Sequence, residues 1–236
     1  MASVERNEVS LSGNMEKFNR PFVILSFAQS SDGFICREDG DSRFSSEADL
    51  IEVHKLRSIV DGILIGSNTA LKDNPKLTIH KIPLNGHKNP IRIILDSHAR
   101  LPMDLNVFSD GAAKTILFVS EAALKERLDA LKERCEVVVC GASRVDLERV
   151  LNDLHNRGIK KLMVEGGGRI IDSFLDGNFV DAMRVYVAPV TCGSGIKVKG
   201  VVSDGRQYTI ICNDFTIAST RTLGRGVVLD IKRQNS

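Results

Sequence analysis

Seven times between Pro21 and Val190 the chain passes through a short, almost unbroken apolar run. The runs are PFVILSFAQ (21–29), GILIG (62–66), PIRIILD (90–96), TILFVS (115–120), CEVVVC (135–140), KLMVE (161–165) and MRVYVAPV (183–190). A strand that is apolar on both sides has to be covered on both faces, which is the condition of a parallel sheet. Helical spacing fills several of the gaps. SEADLIEVHKLRSIV (46–60) sets Leu50, Val53, Leu56 and Val60 on one side, and Ser46 followed by Asp49 predicts a capping box. EAALKERLDALKER (121–134) is amphipathic, and further helices are expected around Val145–Arg157 and Arg169–Leu175. SNTALKDNPKLTIH is expected to be a loop with one helical turn. FTIASTRTL and GVVLDIKR, meeting near Gly224, predict an antiparallel hairpin. The expected fold is therefore α/β: a mostly parallel sheet flanked by helices on both faces, with the C-terminal hairpin adding antiparallel strands.

No linker, internal repeat or low-complexity tract interrupts this pattern, so residues 21–236 are read as one domain. The first twenty residues are polar with scattered charge and lack the apolar centre of a signal peptide; they are expected to form a flexible N-terminal extension. With 42% hydrophobic residues the chain can bury a substantial core, and its net charge is only +2. The basic residues are dispersed, which argues against a nucleic-acid partner. No segment reaches the ~18 consecutive apolar residues of a membrane span. The five cysteines are odd in number and lack CxxC spacing, which argues against a disulfide framework and a zinc knuckle. A reducing, cytoplasmic setting is expected. Cys135, Cys140 and Cys212 lie in or beside apolar runs and are read as small core residues.

Ligands of an open parallel sheet bind beyond the carboxyl ends of its strands, and four polar clusters fall there. Glu165-Gly166-Gly167-Gly168 follows KLMVE and precedes a helix. Glycines let backbone N–H groups approach an anion, and a pyrophosphate is the natural occupant; a tight strand-to-helix turn without a ligand accounts for the same residues. Gly66-Ser67-Asn68-Thr69 is a second phosphate contact or a simple cap. Asp96-Ser97-His98-Ala99-Arg100 offers a hydroxyl and a cation, suited to the 2′-phosphate of NADP or to a solvated turn. Asp32-Gly33 closes the set. Asp32 and Glu165 are the candidate proton-handling groups, because a carboxylate in a cleft can have a raised pKa; Asp32 taken alone reads rather as an ordinary turn residue before glycine. Lys55, Arg57, Lys72, Lys76 and His80 bracket GILIG and its loop, either as a phosphate grip or as a solvated face.

Taken in order, SSDG, GDSRFSSE, HKLR, DGILIGSNTALKDNPKLTIH, PIRIILDSHARLP, LMVEGGGRIIDSFL and VDAMRVYVAP resemble the riboflavin-biosynthesis reductase family, whose fold is dihydrofolate-reductase-like. The resemblance runs from about Pro21 to the C-terminus and is nearest to the stand-alone archaeal and fungal type. It implies NADPH as cofactor, a homodimer, and a substrate in which a pyrimidine carries a ribosylamino phosphate. The sugar opens to an imine and hydride goes to C1′, giving the ribitylamino form. On this resemblance Gly66, Thr69, Ser97, Arg100, Gly166, Gly167 and Gly168 hold NADPH, with Ser97 and Arg100 at the 2′-phosphate. Asp32, Ser45, Arg57, Asp73 and Glu165 surround the substrate, and Lys76 and His80 meet its phosphate. Glu165 stands between substrate and nicotinamide.

Two positions depart from bacterial relatives: Phe34 stands where a lysine is common, and His80 where an arginine is. No HxE…PCxxC occurs, so neither a zinc deaminase nor a metal is expected. Three other readings remain: the same reduction on the deaminated pyrimidine, dihydrofolate reduction on a shared fold, and a nucleotide-binding module without catalysis.

Overall fold

The computed structural model describes residues 19–199, 201–203, 208–210 and 214–234. Residues 1–18 of the expected extension and Cys212 lie outside these. Arg20 is already tied down, its guanidinium gripping the Asp181 carboxylate at 2.6 and 2.9 Å.

The apolar runs form the strands β1 (Phe22–Ser30), β3 (Gly62–Gly66), β4 (Ile91–Leu95), β5 (Thr115–Val119), β6 (Glu136–Val139), β7 (Lys161–Gly166) and β8 (Ala182–Ala188). The helices are α1 (Glu47–Arg57), α2 (Ser67–Asp73), α3 (Asn106–Ser109), α4 (Lys125–Lys132), α5 (Leu147–Asn156) and α6 (Gly168–Asp176). The expected hairpin is β12 (Phe215–Leu223) with β13 (Gly226–Arg233), joined by a two-residue turn in which Gly224 has φ +59°. Short strands pair outside the main sheet: β2 (Phe34–Cys36) with β9 (Ile196–Lys197), and β10 (Val201–Ser203) with β11 (Tyr208–Ile210).

The nine-stranded sheet has the order β12-β13-β8-β1-β7-β3-β4-β5-β6. All neighbours from β8 to β6 are parallel, and β13 and β12 add antiparallel strands beyond β8. From β3 the chain winds outward to β6, then returns to lay β7 between β1 and β3. That return makes a crevice at the carboxyl ends of β1, β7 and β3.

Alternation along the strands divides the core in two. Val23, Leu25, Leu64, Ile93, Ile116 and Val164 pack on Val150, Leu151 and Leu154 of α5 and Ile171 and Phe174 of α6. Ile24, Ile63, Ile65, Ile94, Leu117 and Met163 pack on Leu56 of α1, Ala70 of α2, Phe108 of α3 and Leu131 of α4. Helices therefore cover both faces, and burial of each large aliphatic side chain contributes roughly 1.5–3 kcal/mol.

Three local expectations differ from the structure. The helix expected over 121–134 begins only at Lys125, because the amides of Glu121 and Ala122 donate to the carbonyls of Gly141 and Ala142 beyond β6. The segment after Gly66 forms a seven-residue helix rather than one turn, ended by Asn74 at φ +40°. Ser46 does cap α1, accepting from the Asp49 amide at 3.2 Å, but Asp49 does not close a capping box. Its carboxylate is buried and accepts from Arg184 of β8 at 2.7 Å.

Cys140 is buried in the core on the α5–α6 side, and Cys135 packs against the core on the opposite side of the sheet. Burial pushes the Cys135 thiol up to about 11, so it is no nucleophile near neutral pH.

Candidate active site

The centre of the crevice is a β-bulge. Along β3 and β7, Leu64 is opposite Val164, but the next residue, Ile65, is opposite Gly166. Glu165 is the extra residue, and a bulge re-aims the side chain it carries. The carboxylate meets the last turn of α1. Arg57 Nε donates to Oε1 and Nη2 to Oε2, both at 2.7 Å. The side chains are only 10% and 14% exposed, so the fork is shielded from solvent. Arg57 Nη1 also donates to the Thr78 carbonyl at 2.9 Å.

Thr78 belongs to the segment after α2 that carries Lys76 and His80. Asn74 and Leu77 both have left-handed φ, +40° and +49°, and Leu77 is nonetheless buried. Such backbone persists only where the surroundings over-determine it. Asn89 Oδ1 accepts from the Ile79 amide at 2.9 Å, and His54 Nδ1 accepts from the amides of His80 and Lys81 at 3.0 and 3.3 Å. Lys76 and His80 are exposed on this fixed segment. Burial and then the charge of Arg57 push the His80 pKa down.

The expected cationic group does not act as one patch. Arg57 is turned inward onto Glu165, while Lys72 reaches the Gly40 carbonyl and lies 3.8 Å from Cys36 Sγ. Asp73 ends α2, exposed, and Ser45 is half-buried just before the Ser46 cap.

The glycine turn links two strand ends. Gly166 has φ +127°, and a Cβ there would meet nothing within 4 Å, so its outer side is open space. A Cβ on Gly167 would stand 2.9 Å from Thr69 Oγ1, and one on Gly66 2.8 Å from Ile170. The structure thus brings Gly66, Thr69 and Gly167 together where α2 and α6 begin. The first amides of α6 have no partner within the helix and face the same end.

At the end of β4, Asp96 Oδ2 accepts from the amides of Arg100 and Leu101, and Ser97 Oγ accepts from the Val145 amide at 3.0 Å. Arg127 of α4 donates to the carbonyls of Ala99 and Leu101 at 3.1 and 2.7 Å. Arg100 is exposed on this braced turn.

Asp32 sits in the turn between β1 and β2, with its carboxylate accepting from the amides of Cys192 and Gly193. Burial alone would raise its pKa, but hydrogen bonds from Ser30, Gly193 and Cys192 outweigh that and hold it at about 2. The expectation of a raised pKa is corrected here: Asp32 is a fixed anion near neutral pH, because amides bond its charged form.

Two residues are assigned no role by the sequence. His54 stands in the HKLR segment, but nothing in that segment assigns it a role of its own; it looks like one more polar residue of an amphipathic helix. Arg127 carries no signal in a charged helix.

The RibD C-terminal domain family model matches residues 21–229. The 2,5-diamino-6-ribosylamino-4(3H)-pyrimidinone 5′-phosphate reductase of Methanothermobacter thermautotrophicus is 45% identical over 211 residues, covering 89% of this chain and 97% of that protein. Among solved structures, the riboflavin biosynthesis reductase of Saccharomyces cerevisiae superposes with a TM-score of 0.68 at 25% identity, over 92% of each chain. A deaminase/5-amino-6-(5-phosphoribosylamino)uracil reductase of Thermotoga maritima gives 0.71 at 28% identity, over 91% of this chain and 57% of that longer one.

Proposed function

The chain belongs to the RibD C-terminal domain family, and from that premise we propose that it reduces the ribosylamino side chain of 2,5-diamino-6-ribosylamino-4(3H)-pyrimidinone 5′-phosphate to the ribitylamino form, with NADPH, in riboflavin biosynthesis. The observation that carries this reading is the bulged Glu165, clasped by Arg57 beside a glycine turn at the carboxyl end of a central strand. The amino form of the substrate is favoured by the relative that shares 45% identity across nearly its whole length.

The residues fit an extended dinucleotide. Gly166 leaves open space where a side chain would stand, and the backbone of Gly167 packs against Thr69. In this reading Gly66, Thr69, Gly166, Gly167 and Gly168 hold the pyrophosphate half, where unpaired helix amides favour an anion. Ser97 and Arg100 receive the 2′-phosphate on their braced turn. When bound, the nicotinamide supplies a hydride to C1′ of the opened sugar.

The chain's own residues bind and orient the other partner. Lys76 and His80 hold the substrate phosphate on a segment with little freedom, so the sugar is placed at low entropic cost. Arg57 donates to both Glu165 oxygens, so Glu165 meets the imine as an oriented carboxylate: it stabilises the positive charge on the imine nitrogen, whose proton comes from solvent water as C1′ gains the hydride. Asp32, a carboxylate at neutral pH, orients the substrate with Ser45 and Asp73 rather than delivering that proton. Action as a cytoplasmic homodimer completes the reading.

The test is the loss of NADPH absorbance with the amino-form substrate, its deaminated counterpart and dihydrofolate in parallel. Oxidation with the amino form is expected. A strong preference for the deaminated form or for dihydrofolate overturns the substrate, and cofactor binding without oxidation by any of the three overturns the enzyme.

A further inference from the structure

Between the proposed phosphate grip and the Arg57–Glu165 pair stands a buried imidazole. His54 lies in α1, 2% exposed and one helical turn before Arg57. Its Nδ1 accepts from two consecutive amides, those of His80 at 3.0 Å and Lys81 at 3.3 Å. Accepting an N–H requires a lone pair on Nδ1, so the ring is neutral there. The His80 ring stands edge-on to it, with centroids 4.2 Å apart at 84°. From the same side of α1, Arg57 takes the Thr78 carbonyl. One helix face therefore satisfies both polarities of the segment's backbone, a carbonyl through Arg57 and two amides through His54.

We propose that His54 is a positioning residue for the substrate phosphate: its Nδ1 fixes the 78–81 backbone, and so fixes where Lys76 and His80 present their charges relative to Glu165. This rests on the function proposed above. Nothing else on α1 supplies an acceptor to those amides among the described hydrogen bonds, and a buried amide left unpaired drives local rearrangement.

His54→Asn and His54→Gln separate this from general packing. The Asn carbonyl oxygen is two bonds from Cβ, as Nδ1 is, whereas the Gln oxygen is one bond farther and misses the amides. Loss of one buried acceptor predicts KM for the pyrimidine phosphate to rise about tenfold in His54→Gln. His54→Asn should stay within about threefold of wild type, and Kd for NADPH should be unchanged in both. Exchange of the His80 and Lys81 amides with deuterated solvent is expected to be slow in the wild type and His54→Asn, and fast in His54→Gln. Equal KM and equal exchange in the two variants overturns the proposal, as does a loss of NADPH affinity in step with KM. If the wild type turns over none of the three substrates, the functional reading fails on its own. The exchange contrast then decides whether His54 holds the segment.

Discussion

Arg57 grips Glu165 through both carboxylate oxygens at 2.7 Å, across the gap between the last turn of α1 and a bulge in β7. The two residues are 108 positions apart in sequence, and the parallel sheet brings them together by inserting β7 between β1 and β3. Glu165→Gln keeps the shape and removes the charge. It is expected to lower kcat by about 100-fold, the range of a lost electrostatic contact to charge that develops in the transition state, while Kd for NADPH moves less than about threefold. Stopped-flow oxidation with fluorescence titration of the cofactor checks this. Equal losses in both would make Glu165 a cofactor-binding or folding residue.

Arg57→Lys tests the fork itself. Lysine retains the charge but cannot bond both carboxylate oxygens in one plane and the Thr78 carbonyl as well. A fall of roughly tenfold or more in kcat/KM is expected, with a rise in KM because the 78–81 segment loses an anchor. Full activity in the lysine variant would reduce the pair to a charge balance.

Cofactor preference should reside at the end of β4. Arg100 is exposed on a turn held by Asp96, Arg127 and the Val145 amide. Arg100→Ala and Ser97→Ala are expected to cut the ratio of kcat/KM for NADPH over NADH by about tenfold each, the loss of a charge-assisted bond. An unchanged ratio removes these residues from the 2′-phosphate.

The glycines differ in what a methyl group would do. At Gly166 the obstacle is backbone, φ +127°, so alanine is expected to destabilise by roughly 1–3 kcal/mol. At Gly167 the methyl would push on Thr69 Oγ1, 2.9 Å away. Gly167→Ala should therefore weaken NADPH binding more than it lowers the melting temperature, as read by titration beside thermal denaturation.

Stability should depend on pH through His54. Burial, followed by the charge of Arg57, pushes its pKa down from the ordinary 6.5 to about 3. Between those values the unfolded chain binds the extra proton and the folded chain does not, so stability rises with pH across that window. The contribution is complete above about pH 6.5 and is lost as pH falls toward 3. Denaturant midpoints measured from pH 4 to 7 should climb more steeply in the wild type than in His54→Asn. Parallel curves would remove His54 from the transition.

The layered fold was legible because fully buried strands have a signature that depends only on local sequence. The order β1-β7-β3 was not, since nothing in KLMVE says between which strands it is inserted. The bulge at Glu165 is invisible for the same reason: register is a property of two strands. Ser46 announced its cap correctly, but Asp49 was claimed by Arg184, 135 positions away, where a local motif assigns it to its own helix. The start of α4 falls later than its periodicity implies because the Glu121 and Ala122 amides are spent on a distant loop. Candidate site residues are legible in sequence only where a polar cluster follows a buried strand. His54 and Arg127, which hold the 78–81 segment and the turn after β4, bond backbone groups, so even where His54 falls in the HKLR segment its role is not readable from side chains alone.

Hydride transfer to the sugar carbon beside Glu165 would leave an isotopic label there. NADPH deuterated on both C4 hydrogens, turned over with the amino-form pyrimidine phosphate and followed by NMR of the product, tests it directly. One deuterium is expected at C1′ of a ribityl side chain, with none in the pyrimidine ring. Deuterium in the ring, or a cofactor that binds and stays reduced, would contradict it.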